Sequence, residues 1–171
     1  MLKEQIAASL EQAFSELGFA EPSVGQLKTA CGVSLRTLYK HYPSKEEMIV
    51  AALEHRHQRY LDFLLEASPE AGVHCLPHIF HRLGLWMKEY APNGCMSLNA
   101  LAAFPDNDLI KQTVSAHKNS VRQFFGTQSL REDLATELFI LHEGVSSAWP
   151  IIGDEALQSA QRFIVKAQLE N

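Results

Sequence analysis

The residues best equipped for chemistry lie between Ser23 and Lys45. Residues 24–45 hold Lys28, Arg36, Lys40 and Lys45 and no aspartate or glutamate, a local charge of +4 in a chain of formal net charge −5, which leaves −9 for the rest. A cationic patch of this kind binds a polyanion where it sits and repels it elsewhere. The spacing is helical. Gly32-Val33-Ser34 separates two short segments that read as helices, about Val24–Cys31 and Leu35–Tyr42, and a three-residue turn opened by glycine is the signature of a helix-turn-helix. Ser23 followed by Gln26 is a capping box, Ser34 caps the second helix, and Pro43 stops it. Leu27 and Ala30 suit the inside of the first helix, and Val33, Leu38 and Tyr42 suit the inside of the turn and second helix. With Leu38 inward, Arg36 and Lys40 fall roughly 160° away, one above the other, with Thr37 and Tyr39 flanking them. That outer face has the chemistry of a major-groove reader. Arg36 can pair bidentately with guanine and Thr37 can touch a thymine methyl, while Tyr39, Lys40, His41 and Lys45 have the reach for phosphates. Free amides at the Ser23-capped N-terminus can hold another phosphate.

Other groups are more scattered. His74, His78 and His81 stand at i, i+4, i+7, a spacing compatible with metal ligation; Pro77 interrupts that face and no acid completes a set, so they read as solvated or capping, with no metal expected. His55 and His57 are two residues apart, cannot share a helix face, and read as surface residues. Cys95 follows Gly94 at a helix start, where thiolate character rises; it reads either as an oxidant or electrophile sensor or as a small buried hydrophobe. Three cysteines with no paired spacing suit a reducing cytosol better than a disulfide scaffold. A central inventory of Phe80, Trp86, Met87, Tyr90, Phe104, Phe124, Phe125 and Trp149, with His117, His142 and Asn99 for orientation, is that of an apolar pocket with a few polar groups, and equally that of a core.

The elements that position these residues are helices throughout: the apolar period is near 3.6, and no Asn-Gly or Asp-Gly hairpin signal occurs. Ile6, Leu10, Ala13, Phe14 and Leu17 stripe a first helix over Leu2–Leu17. Ser44-Lys45-Glu46-Glu47 opens a long helix to about Ala67. Ser68-Pro69 starts another to Tyr90, kinked or restarted at Pro77. Helices follow at about Cys95–Ala103 and Asp108–Phe125. Ser129-Leu130-Arg131-Glu132 reads as a third capping box opening an apolar helix to Ile152, kinked by Pro150, and Asp154 caps a last helix in which Leu157, Ala160, Ile164 and Ala167 share a face. The expectation is an all-α, nine-helix, two-domain chain: residues 1–46 carry the helix-turn-helix, and residues 47–171 form a second helical domain. Apolar residues at 46% and charged residues at 20% fit an ordered soluble protein. No apolar run of about 18 residues signals a membrane span, the N-terminus does not read as a signal peptide, and the expected location is cytoplasmic. No Gly-rich phosphate loop, Gly-x-Ser-x-Gly elbow or His-Glu-x-x-His occurs, so no catalytic set assembles and neither an enzyme nor a cofactor is expected. The alternative class is a helical metal- or haem-binding, or thiol redox-sensing, protein.

The run from Ser23 to Ile49, SVGQLKTACGVSLRTLYKHYPSKEEMI, resembles the recognition region of the TetR family of bacterial transcriptional repressors, and Gly94-Cys95 to Pro105-Asp106 resembles one common branch. The resemblance implies a homodimer on a palindromic double-stranded operator, released when a small ligand fills the C-terminal domain. By position, Leu35, Arg36, Thr37, Tyr39, Lys40, His41 and Lys45 match residues that contact DNA in the family, beside the capping Ser23 and Ser34. The candidate effector residues are Phe80, Trp86, Met87, Cys95, Asn99, His117, Phe124, His142 and Trp149, and the aromatics point to a hydrophobic or aromatic ligand. Gly25 stands where some members carry a base-reaching side chain, which puts more of the readout on Arg36 and Lys40. A single helix-turn-helix binds weakly, so pairing through the last two helices, apolar enough for two faces, is expected.

Overall fold

The computed structural model describes residues 1–169, with side chains through Lys166. The described residues form nine α-helices and no strand: α1 (Leu2–Leu17), α2 (Val24–Cys31), α3 (Leu35–His41), α4 (Lys45–Leu65), α5 (Leu76–Glu89), α6 (Met96–Ala103), α7 (Asp108–Ser129), α8 (Ala135–Ile152) and α9 (Asp154–Leu169). Short 3-10 turns at Val73–Cys75 and Glu132–Leu134 precede α5 and α8. No described helix is long and apolar enough to cross a membrane.

The helices group into two compact units: residues 1–59 with 96–117, and residues 60–95 with 118 onward. Both α4 and α7 begin in the first and end in the second. This is a division by packing and differs from the 1–46 and 47–171 division read from the motif, because α6 and the start of α7 fold with the N-terminal helices. In the first unit Ile6, Leu10 and Phe14 of α1 meet Leu27, Leu38, Met48, Ile49, Leu53, Ala100 and Ile110. Burying each such large side chain contributes roughly 1.5–3 kcal/mol. Leu17, expected in the α1 stripe, is exposed, and Phe19 past the Gly18 stop packs on Phe14 in its place, ring centroids 5.1 Å apart. In the second unit Leu64, Ile79, Phe80, Leu83, Phe125, Val145, Leu157 and Ile164 form the centre. There α5 and α9 pack so closely at Gly84 that a Cβ would lie 2.4 Å from Leu157 Cδ2. The side chain of Ala167 lies outside the described residues.

Two expected helix starts are absent. Ser68-Pro69 begins no helix: Ala67 takes a positive φ of 55°, the Gly72 amide donates to the Gln128 carbonyl, and the next α-helix waits until Leu76, with Pro77 in its first turn, where the missing N–H costs nothing. Ser129 does not cap α8 either. It is the last residue of α7, its hydroxyl donates back to the Phe125 carbonyl at 2.6 Å, and Glu132 sits beside Thr127; α8 begins only at Ala135. Asp154 falls inside α9 and pairs with Lys88 at 3.1 Å.

Candidate nucleic-acid interface

Local chemistry builds the turn. The Ser23 hydroxyl accepts the Gln26 amide while the Gln26 side chain accepts the Ser23 amide, closing both halves of the box. At the far end of α2, Gly32 adopts φ 63°, ψ 26°. Its N–H reaches Thr29 O and that of Val33 reaches Lys28 O, the paired bonds of a Schellman stop, which favours glycine at the left-handed position. Ser34 then accepts the Thr37 amide at 3.0 Å and starts α3. Leu27 and Leu38 are wholly buried. Ala30, expected beside them, is exposed, and the half-buried Cys31 and Val33 fill the space instead. The end of α3 is tied to α1 by the Tyr42 hydroxyl, which donates to Lys3 O at 3.0 Å.

This scaffold leaves Ser23, Ser34, Leu35, Arg36, Tyr39 and Lys40 exposed. Leu35 at 45% and Tyr39 at 41% are unusually open for apolar and aromatic side chains. Thr37 is half-buried and its hydroxyl contacts Ser34 Oγ at 2.8 Å. Half-buried His41 lines a hollow of about 370 Å³ with Lys3, Glu4, Tyr42, Glu47, Glu54 and His55. Lys45 is also half-buried: its ammonium donates to Ala20 O at 3.0 Å, and burial, outweighing the pull of Glu46 and Glu21, lowers it from the usual lysine value.

A buried ionic lock supports the head. Glu11 on α1, 4% exposed, accepts from His55 Nδ1 at 2.6 Å, Arg56 Nη1 at 3.1 Å and Arg59 Nη2 at 2.5 Å on α4. Burial pushes its carboxyl up, but the bonds from Arg59 and His55 and the charges of both arginines bring it below the ordinary glutamate value. The expectation of surface histidines at 55 and 57 is therefore corrected: His55 joins this lock, and His57 stacks on His117 with ring centroids 4.3 Å apart. The i, i+2 spacing correctly separates the two faces but says nothing of partners on other helices.

The candidate effector residues divide between the units. Phe80, Trp86, Met87, Phe124 and Trp149 pack in the second core, the buried His142 lies against Phe125 of that core, and Cys95 belongs to the same unit. Asn99 and His117 belong to the first, and Asn99 is exposed. Sequence reasoning missed the polar chain of the second unit. Lys118 Nζ lies 3.3 Å from Cys95 Sγ and 2.8 Å from both Glu143 oxygens. Glu143 meets His142 Nδ1 at 3.1 Å, and His142 Nε2 meets the Tyr60 hydroxyl at 2.5 Å. Burial lowers His142 from the usual histidine value despite Glu143. Sequence separations of up to 82 residues hide such a chain. Of the histidine triplet, His74 and His81 are exposed and His78 donates to Glu66 O at 3.0 Å. Among the described residues no group of three or more His, Cys, Asp or Glu side chains is placed to hold a metal ion.

Residues 6–52 match the bacterial regulatory proteins of the tetR family, and this segment spans the Ser23 box, the Gly32 turn and the exposed face of α3. Solved TetR-family structures share its fold over nearly the whole length. A transcriptional regulator of Streptomyces coelicolor superposes with a TM-score of 0.75 at 17% identity, covering 95% of this chain and 87% of that one. The TetR-family regulator of Cytophaga hutchinsonii gives 0.74 at 16%, covering 96% and 93%. Reduced NemR of E. coli gives 0.73 at 20%, covering 96% and 95%. No curated protein matches the sequence. The described residues are thus all-α, and the segment that carries the helix-turn-helix is similar to a family of bacterial regulatory proteins.

Proposed function

We propose that this chain is a repressor of the TetR family that binds a palindromic operator as a homodimer and leaves it when a small hydrophobic or aromatic effector enters the helical domain. The observation that carries the reading is the acid-free, exposed face of α3, where Arg36, Tyr39 and Lys40 stand clear of the body with Leu35 at its edge. In this reading residues 1–46 are the head; Arg36 and Thr37 read bases, and Tyr39, Lys40, His41, Lys45 and the capped helix starts at Ser23 and Ser34 hold phosphates. Lys45 keeps two ammonium protons beyond its bond to Ala20.

The dimer part rests on α8 and α9. Ile140, Gly144, Ser147 and Ile151 follow one face of α8 and all are exposed. Ile140 and Phe163 are each 63% exposed and Ile151 85%. Apolar side chains this open on neighbouring helices suit an isologous four-helix contact. The effector part rests on the aromatic and polar inventory of the second unit. Its occupancy would shift α4 and change the separation of two heads away from one groove repeat of about 34–36 Å or a near multiple.

Selection of duplexes from a randomised pool by the full chain tests the reading. The expected product is two inverted half-sites with helical-turn spacing and two chains per duplex. Enrichment of a single asymmetric site by one chain contradicts it.

A further inference from the structure

Arg36 and Lys40 are exposed on α3, whereas Lys45, the first residue of α4, is half-buried. Segments distant in sequence meet at its ammonium. The chain between α1 and α2 supplies the Ala20 carbonyl, which accepts from Lys45 Nζ at 3.0 Å. The turn between α6 and α7 supplies Phe104, whose ring centroid lies 6.0 Å from Nζ. Phe104 is itself fixed. Its amide donates to Ala100 O at 3.0 Å and its carbonyl accepts from Asn107 N at 3.2 Å. Asn107 Oδ1 accepts the Ile110 amide at 3.0 Å, Ala100 and Ile110 are wholly buried, and Phe104 packs against the same first core. The aromatic inventory read from the sequence set Phe104 beside the residues of the second core, but it belongs to the first unit, with Lys45. A lysine free in solvent gives up most of its rotamer freedom when its head group is fixed on a partner. In Lys45 the bond to Ala20 and the negative face of the ring already restrain the head group. Burial has also stripped part of its water, which lowers the ammonium from the usual lysine value against the pull of Glu46 and Glu21. Two N–H donors remain for an incoming oxygen, and preorganisation of this kind lowers the cost of binding.

We propose that Phe104 is a positioning residue for nucleic-acid binding: with the Ala20 carbonyl it holds the Lys45 ammonium at a fixed point, ready to take one backbone phosphate, so that the turn between α6 and α7 sets the strength of a contact made at the start of α4. Phe104 touches no nucleic acid itself. Its effect falls on the affinity for every sequence alike and not on base preference, since a phosphate contact carries no sequence information. The proposal rests on the duplex-binding reading of α3. It deepens that reading by placing one control of affinity outside the helix-turn-helix and outside residues 6–52.

The full chain, Lys45→Met, Phe104→Leu and the double variant are titrated with the duplex selected from the pool over a range of salt concentrations. Lys45→Met should weaken every duplex and flatten the log–log salt slope by about 0.9, the loss of one phosphate contact. Phe104→Leu keeps an apolar side chain and loses the ring face; it should weaken binding about three- to fivefold and leave the ranking of single-base variants of the duplex unchanged. In the Lys45→Met background Phe104→Leu should have no further effect. A second series keeps the fold intact by placing mono-, di- and trifluorinated phenylalanine at position 104, which preserves the ring and withdraws charge from its face; affinity should fall stepwise along the series. Equal losses from Phe104→Leu in both backgrounds, or an affinity indifferent to fluorination, would mean that the ring merely packs, and would overturn the positioning role while leaving the reading of α3 intact. Absence of duplex binding by the unsubstituted chain overturns that reading and the positioning role with it, a result distinct from equal losses in a chain that binds.

Discussion

Removing Glu11 should loosen the DNA-binding head without touching its surface. The carboxylate is 5% exposed at the side chain, as is 10% of Arg56, whereas Arg59 and His55 are 37% and 32% exposed. Breaking a buried pair by deleting one partner costs about 3–5 kcal/mol. Arg59 and His55 both reach water, so the low end applies and Glu11→Ala should cost about 3 kcal/mol. Glu11→Gln keeps an oxygen for the arginines and loses the charge, which puts it near 1.5 kcal/mol. Both tryptophans, Trp86 and Trp149, lie in the other unit, so tryptophan fluorescence is the wrong probe. Amide hydrogen exchange of residues 2–17 is the right one. The opening free energy of α1 should fall by those amounts while α9 keeps its protection. The sign with pH follows from the lowered carboxyl. The Glu11 contribution is complete above the unfolded value of about 4.3 and is lost as pH falls through the lower folded value. Wild type should therefore weaken on acidification through this window, and Glu11→Gln should lack that component. Unchanged α1 protection in Glu11→Ala would refute the assignment of this cluster as the lock between α1 and α4.

Other outcomes can be checked with single substitutions. Ser34→Ala removes the cap on α3 and should cost about 1 kcal/mol of head stability, measured by exchange of residues 35–42 and accompanied by weaker duplex binding. Phe163→Glu places a charge on the open α9 face and should convert a dimer to a monomer in sedimentation while leaving the helical circular dichroism intact; an unchanged sedimentation coefficient would move the contact elsewhere.

Local chemistry was legible where a motif closes on itself. The Ser23–Gln26 box, the Gly32 stop and the Ser34 cap each involve residues within five positions, and all three were readable from side-chain type alone. The same rule misled at Ser129 and at Ser68-Pro69, because a serine followed by Glu or Pro is compatible with a helix start but does not require one. At both places tertiary bonds, Ser129 to Phe125 O and Gly72 to Gln128 O, decided the path. Helix wheels placed Arg36, Lys40 and Leu38 on their observed sides, since exposure on a short helix follows period. They misplaced Ala30, whose small side chain carries little preference. Partners between distant helices were beyond reach: nothing in the spacing of His55, Lys118 or His142 names Glu11, Cys95 or Tyr60.

The central claim is that the wet side of α3 holds duplex DNA. It is tested most directly by titrating the selected duplex with wild type and Arg36→Ala over a range of salt concentrations. The account predicts wild-type affinity that falls steeply and linearly on a log–log plot with salt, and a loss of about 1–3 kcal/mol in Arg36→Ala with one base position relaxed. Affinity in Arg36→Ala equal to wild type at every salt concentration would contradict it.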